Sequence, residues 1–135
     1  MIGEINGQGS KRSGKSRGQE NQTVTDDFHI PLDAARARIP PGPDDPQFVI
    51  LRERGSLTVE LYRPLEIDRQ QPHSRDECYV VVEGNGIFEM GDETVTFGPD
   101  DFLFVPASVP HRFRDFGESM MTWVIFYGPE GGEDA

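Results

Sequence analysis

Gln70–Gly86 reads QQPHSRDECYVVVEGNG. Four apolar residues in succession, Tyr79 to Val82, run into Glu83 and then Gly84-Asn85-Gly86, after which Ile87 starts another apolar run. A short, β-branched run closed by a glycine-asparagine turn predicts a strand entering a hairpin. Just ahead of that strand stand a neutral amide, an imidazole and a carboxylate: Gln71, His73 and Glu77. A polar loop gathers such residues by chance often enough that their meaning depends on the rest of the chain.

Outward from this segment the same rhythm repeats. β-type runs are predicted at Phe48 to Arg52, Leu57 to Tyr62, Cys78 to Val82, Ile87 to Met90, Thr94 to Phe97, Phe102 to Val105, His111 to Arg114 and Thr122 to Tyr127. Turn signals such as Arg54-Gly55-Ser56, Met90-Gly91-Asp92 and Gly98-Pro99-Asp100 separate them. Short strands at short intervals predict an all-β sandwich or barrel of antiparallel strands. Runs such as Phe102-Leu103-Phe104-Val105 are apolar at successive positions, so both faces should be covered, which predicts a homodimer. Before the strands, Ile30 to Ile39 is expected to contain one short helix or helical turn with Asp33 placed to cap it, stopped by Pro40, Pro41 and Pro43.

The 135 residues fit one domain. With 24 acidic against 13 basic residues, the net charge of −11 argues against a nucleic-acid or anionic-membrane surface and points to small molecules or proteins as partners. One cysteine, Cys78, excludes an internal disulfide framework, and no apolar run approaches a membrane span. A soluble, cytoplasmic protein is expected. Residues Met1 to Thr25 carry Lys11, Arg12, Lys15 and Arg17 with hardly any apolar residues, so this basic arm is expected to be disordered and the domain to occupy 26–135.

A second segment, PDDFLFVPASVPHRFRD from Pro99 to Asp115, supplies a strand, a proline-bounded turn and then His111. His73-x3-Glu77-x6-Gly84 and Pro106-x4-His111, in this order and about this far apart, resemble the two motifs of the cupin family. The resemblance runs from Phe48 to Tyr127 and implies a double-stranded β-helix, the jelly-roll barrel of single-domain bacterial cupins. Gln71 stands where the family's first histidine is usual, Leu65, Asp100 and Ser108 where glycines are usual, and Asp115 where an asparagine is usual.

The resemblance implies one divalent ion per chain, Fe, Mn, Ni or Zn, held by His73, Glu77, His111 and Gln71. Two imidazoles and one carboxylate form a facial set that leaves open positions on such an ion. The glutamine carbonyl is a weaker donor that either completes the set or hydrogen-bonds a bound water. Gln71 and His73 are expected on one strand face, and a Gln-x-His pair with a later Glu and His also resembles the zinc set of cupin phosphomannose isomerases. One carboxylate against a divalent ion leaves about +1, suited to a bidentate anionic substrate.

Tyr62, Phe104, Phe113 and Trp123 are candidates to line a substrate pocket, with barrel core as their plainer role. Arg52, Arg63 and Arg112 are candidates to orient an anion, although strand arginines are mostly solvated. Asp76 reads as a supporting or surface acid, His29 as a surface residue, and Cys78 as a small apolar residue on the face opposite Glu77. A metal-dependent dioxygenase leads; an isomerase and a ligand-binding barrel without turnover are the rivals.

Overall fold

The computed structural model describes residues 27–134; the expected disordered arm, Met1 to Thr25, lies outside the described residues. One helix, α1 (Leu32–Arg36), precedes eight strands. They are β1 (Phe48–Arg54), β2 (Leu57–Tyr62), β3 (Asp76–Glu83), β4 (Gly86–Met90), β5 (Glu93–Phe97), β6 (Phe102–Val105), β7 (His111–Arg114) and β8 (Met121–Tyr127). All eight expected strands form, some longer by one to three residues. The short helix expected within Ile30 to Ile39 forms at its centre, with Pro31 at the N-cap and the chain leaving the helix after Arg36. Asp33 lies in the first turn and makes no capping bond, since its position is already inside the helix.

The strands make two antiparallel sheets, ordered β1-β2-β8-β3-β6 and β5-β4-β7. Tyr79, Val81, Val105, Val124 and Phe126 of the first sheet meet Phe88, Phe97 and Phe113 of the second in one core. Burying each large side chain contributes about 1.5–3 kcal/mol, and the rings of Tyr79, Phe88, Phe97 and Phe113 pack edge-on or tilted at 4.8–5.8 Å.

The other face of the larger sheet carries a second core. Val49, Leu51, Leu61 and Met121 pack there against Ala35 and Ile39, with Trp123 alongside. This explains why β8 is apolar at successive positions: its two faces serve two cores. Cover is incomplete beyond α1, where Phe102 (63% exposed) and Phe104 (41%) stand on the edge strand β6.

Three of the positions where the resemblance expects glycine or asparagine keep the left-handed backbone without that residue. Asp100, Ser108 and Asp115 have φ of 72°, 70° and 57°. Aspartate tolerates this region through local hydrogen bonding, whereas serine carries a larger steric cost. The first such turn is displaced by one: the positive φ falls on Glu66, at 66°, and not on Leu65.

Candidate metal centre

Strand β3 presents Glu77, Tyr79 and Val81 to the barrel interior and Cys78 and Val80 to the outside, as alternation requires. His111 opens β7, and His73 lies in the segment between β2 and β3. That segment is not a strand, so the expected strand face shared by Gln71 and His73 is absent; the prolines at 64 and 72 and the hydrogen bonds of Asp68 set its course instead. Its place is fixed where it matters, because Ser108 N–H donates to the His73 carbonyl at 2.6 Å.

These elements bring His73, Glu77 and His111 together, with one ligating atom from each lying within 4.8 Å of the others. Glu77 is 1% exposed, and neither of its oxygens has a hydrogen-bond partner. His111 Nε2 comes within 3.1 Å of Glu77 Oε1 but is also without a well-directed bond. Its Nδ1 lies 2.8 Å from the Val109 carbonyl, which can only accept, so Nδ1 carries the proton and Nε2 directs a lone pair toward the carboxylate. A buried carboxylate facing a lone pair is unfavourable unless a cation lies between them.

The titration of the two imidazoles follows the same geometry. Burial lowers His73, and the nearby His111 adds to this against the pull of Glu77, so His73 is neutral and ready to ligate. Burial also pulls His111 down, but the Glu77 carboxylate and the Val109 carbonyl outweigh it and raise the ring. A proton is the counter-charge at hand where no metal sits, and a divalent ion would displace it. The donor set therefore fits such an ion.

His73 and Glu77 open on a cavity of about 930 Å³, with His111 one contact deeper. Gln71 is exposed and lines this cavity. Of the four aromatic candidates, the structure brings only Tyr62 there. Phe113 is sealed in the core, Trp123 packs under α1, and Phe104 faces outward on β6 because its neighbour Val105 takes the inward position opposite Glu77. Arg52, Arg63 and Arg112 do not line the cavity either; Arg112 pairs with Glu89 at 2.9 Å, and Arg69 is the arginine at the cavity. His29 is exposed, and burial raises the Cys78 thiol, in keeping with an inert outward-facing cysteine.

Two buried acids emerge as the supports of this site. Asp68 accepts hydrogen bonds from Tyr62 Oη (2.6 Å), Gln70 N–H (3.1 Å), Gln70 Nε2 (2.8 Å) and Phe113 N–H (2.8 Å). Tyr79 Oη then donates to Gln70 Oε1 at 2.9 Å, so the segment that carries His73 is tied to β2, β3 and β7 at once. Asp76 is buried, not superficial: it accepts from Ala107 and Glu133 N–H, both at 2.9 Å, and fastens the β6–β7 turn and the C-terminal segment beside His73 and Glu77. Glu60 of β2 completes the picture as a cavity-lining carboxylate that the spacing of motifs does not reveal.

Comparisons with known proteins agree with this architecture. The chain is 38% identical over 82 residues to an uncharacterised protein of Streptomyces coelicolor, covering 59% of this chain and 77% of that one. A solved candidate mannose-6-phosphate isomerase of Ralstonia eutropha is similar at 26% identity and a TM-score of 0.60, over 76% of this chain and all of that one. A cupin superfamily protein of Desulfitobacterium hafniense superposes with a TM-score of 0.60 at 16% identity, over 78% and 95% of the two chains, a likeness of fold. Residues 58–127, from β2 to the end of β8, match the model of the cupin domain; the chain belongs to the cupin family.

Proposed function

We propose that this cupin is a divalent-metal-dependent enzyme acting on a small molecule, of the dioxygenase type, with His73, Glu77 and His111 holding the ion. The observation that carries this reading is the Glu77 carboxylate, buried with both oxygens unpartnered and converging with two imidazoles. Two histidines and one carboxylate are the donor set of non-haem Fe(II) oxygenases; a bound ion would supply Lewis acidity and open positions for substrate and O2. The chain's own residues do the rest. Val109 holds His111 in the ligating tautomer, Asp68 and Gln70 fix the segment bearing His73, and the apolar wall formed by Phe126 and Val124 limits water around the centre.

The likeness to a candidate mannose-6-phosphate isomerase supports an isomerase as the second reading. Against a sugar phosphate stands the cavity lining, in which Asp44, Asp45, Glu66 and Glu118 surround a single Arg69. The protein is further proposed to be cytoplasmic and to form a homodimer through the uncovered face around Phe102 and Phe104; among the described residues no helix is long and apolar enough to cross a membrane.

Metal analysis of untagged protein tests the central claim. About one divalent ion per chain is expected, lost in His111→Ala with the barrel intact, and oxygen uptake with iron bound would select the dioxygenase. Equal metal content in parent and variant would remove the assignment.

A further inference from the structure

Strand β2 reads LTVELY, and its apolar members Leu57, Val59 and Leu61 alternate with Thr58, Glu60 and Tyr62. Leu61 belongs to the core under α1. The polar alternates therefore face into the barrel, a reversal of the usual polar-out pattern. Register fixes where: Glu60 lies opposite Val124 of β8, and Glu77 lies opposite Phe126 two residues further along the same strand. The two carboxylates thus line one cavity from strands two places apart, roughly 10 Å at the backbone.

Glu60 is only partly accessible and has no hydrogen bond or ion pair among the described residues. Its sheet neighbours are Ile50 across β1 and Val124 across β8, with Tyr62 two residues along; the base on this face, Arg75, is engaged with Thr58 Oγ1 at 3.4 Å and lies over the Phe126 ring. Burial, followed by repulsion from Glu77 and Glu53, pushes its carboxyl up to about 7. At the mouth of the same cavity the acids Asp44, Asp45, Glu66 and Glu118 outnumber Arg69. An ion at His73, Glu77 and His111 would neutralise Glu77 and remove its share of that repulsion, which favours the ionised form of Glu60. A cavity with negative walls and aromatic and aliphatic faces is complementary to an organic cation.

We propose that the cavity takes a small molecule with charge at both ends: an anionic group directed to the His73, Glu77 and His111 centre, and an ammonium-like cation seated against Glu60 and Tyr62. The first half rests on the metal reading above; the second does not. Glu60 is the specificity-determining residue, and the acidic mouth steers the cation inward. A dianionic ligand such as a sugar phosphate would meet repulsion at both places.

Calorimetric titration of Zn(II)-loaded protein above pH 7, where the Glu60 carboxyl is ionised, with trimethylammonio-propionate and with its carbon isostere, tert-butyl-propionate, tests this directly. The pair matches in shape and carboxylate and differs in one positive charge. Binding of the charged member about tenfold tighter is expected, with the preference shrinking as salt is raised. Glu60→Gln, similar in size, should bring the two ligands to within about twofold while keeping the metal. Equal affinity for the isosteres, no binding of either at millimolar concentration, or a preference that survives in Glu60→Gln would overturn the proposal. Propyltrimethylammonium on metal-free protein separates the two readings, since it has no carboxylate to reach an ion. If the parent holds no metal but binds this cation in a Glu60-dependent way, the metal centre fails and the cation site stands; if it holds metal but shows no cation preference, the metal centre stands and the cation site fails.

Discussion

Asp68 and Glu77 are both buried carboxylates, nine residues apart in sequence and set against the same barrel, yet their surroundings are opposites. Asp68 accepts four hydrogen bonds, from two backbone amides, a phenol and a carboxamide. Glu77 has no hydrogen bond on either oxygen and lies 3.1 Å from an imidazole nitrogen that has none either. A charge removed from water is tolerated when it is fully hydrogen-bonded or neutralised. Asp68 is completed by the fold and holds the site in place. Glu77 is left without a hydrogen bond by the fold, and its charge can be balanced by a proton on His111 or by an ion held with His73 and His111.

The sharpest break of this contrast is to exchange what each acid loses. Glu77→Gln should lower metal affinity by more than about a hundredfold, since a neutral amide replaces the one anionic donor. Its effect on the stability of metal-free protein should be small, under about 1 kcal/mol, at a pH where His111 is neutral, because the carboxylate then accepts no hydrogen bond. Chelator competition and denaturant titration read the two quantities separately. Asp68→Ala should do the reverse, costing about 3 kcal/mol of stability by stranding several buried donors, while the folded fraction still binds metal. If both variants lose stability alike, Glu77 is structural and needs no external cation.

The contrast also shows what was legible beforehand. The strands were, because short β-branched runs and glycine turns impose period and register locally, and so were His73, Glu77 and His111, whose order in the chain reflects the barrel's fixed winding. Asp68 was not, because its value lies in donors from β2, β7 and its own segment that only the folded chain assembles. Glu60 was hidden by a rule that inverts on β2, where Leu61 packs under α1 and its polar neighbours Glu60 and Tyr62 face inward. Phe104 and Trp123, candidates for the pocket, lie away from it for a related reason: in a sheet buried on both faces, an aromatic residue does not announce which face it occupies, and only the pairing of Val105 with Glu77 and of Val80 with Trp123 does.

Glu60 offers a third case between the two acids, and pH resolves it. Its carboxyl is raised from 4.5 to about 7 in the folded chain, so the folded state holds the proton more tightly than the unfolded one. The associated stability is fully present below 4.5 and is lost as pH climbs through about 7. Glu60→Gln, which keeps the neutral form at every pH, should match the parent near the acid end of this window. Above it the variant should be more stable by about 2 kcal/mol, allowing for partial solvent access. Urea unfolding of metal-free protein at the two ends gives the difference, with the titration of Glu77, Glu53 and the histidines common to both proteins. A variant advantage that does not grow with pH would mean that Glu60 is solvated and ionised, unlike Glu77.

The smallest effect belongs to Gln71, whose exposed side chain lines the cavity beside His73 from a segment held by its neighbour Gln70. If the amide carbonyl reaches the ion, Gln71→Leu removes one neutral donor while His73, Glu77 and His111 remain, and a loss of roughly tenfold in metal affinity is expected. Gln71→His should strengthen binding instead, because imidazole is the better donor for late first-row ions. Both are measured by competition with a chelator at fixed pH, held constant because the imidazoles must be deprotonated to ligate. Position decides the outcome: a half-buried His73 is oriented by packing against Phe126 at 4.7 Å, whereas nothing comparable orients an exposed amide. Should Gln71→Leu hold metal as tightly as the parent, the centre consists of three protein ligands and the amide is free to contact the substrate, which predicts that the same variant weakens trimethylammonio-propionate binding and leaves the metal untouched.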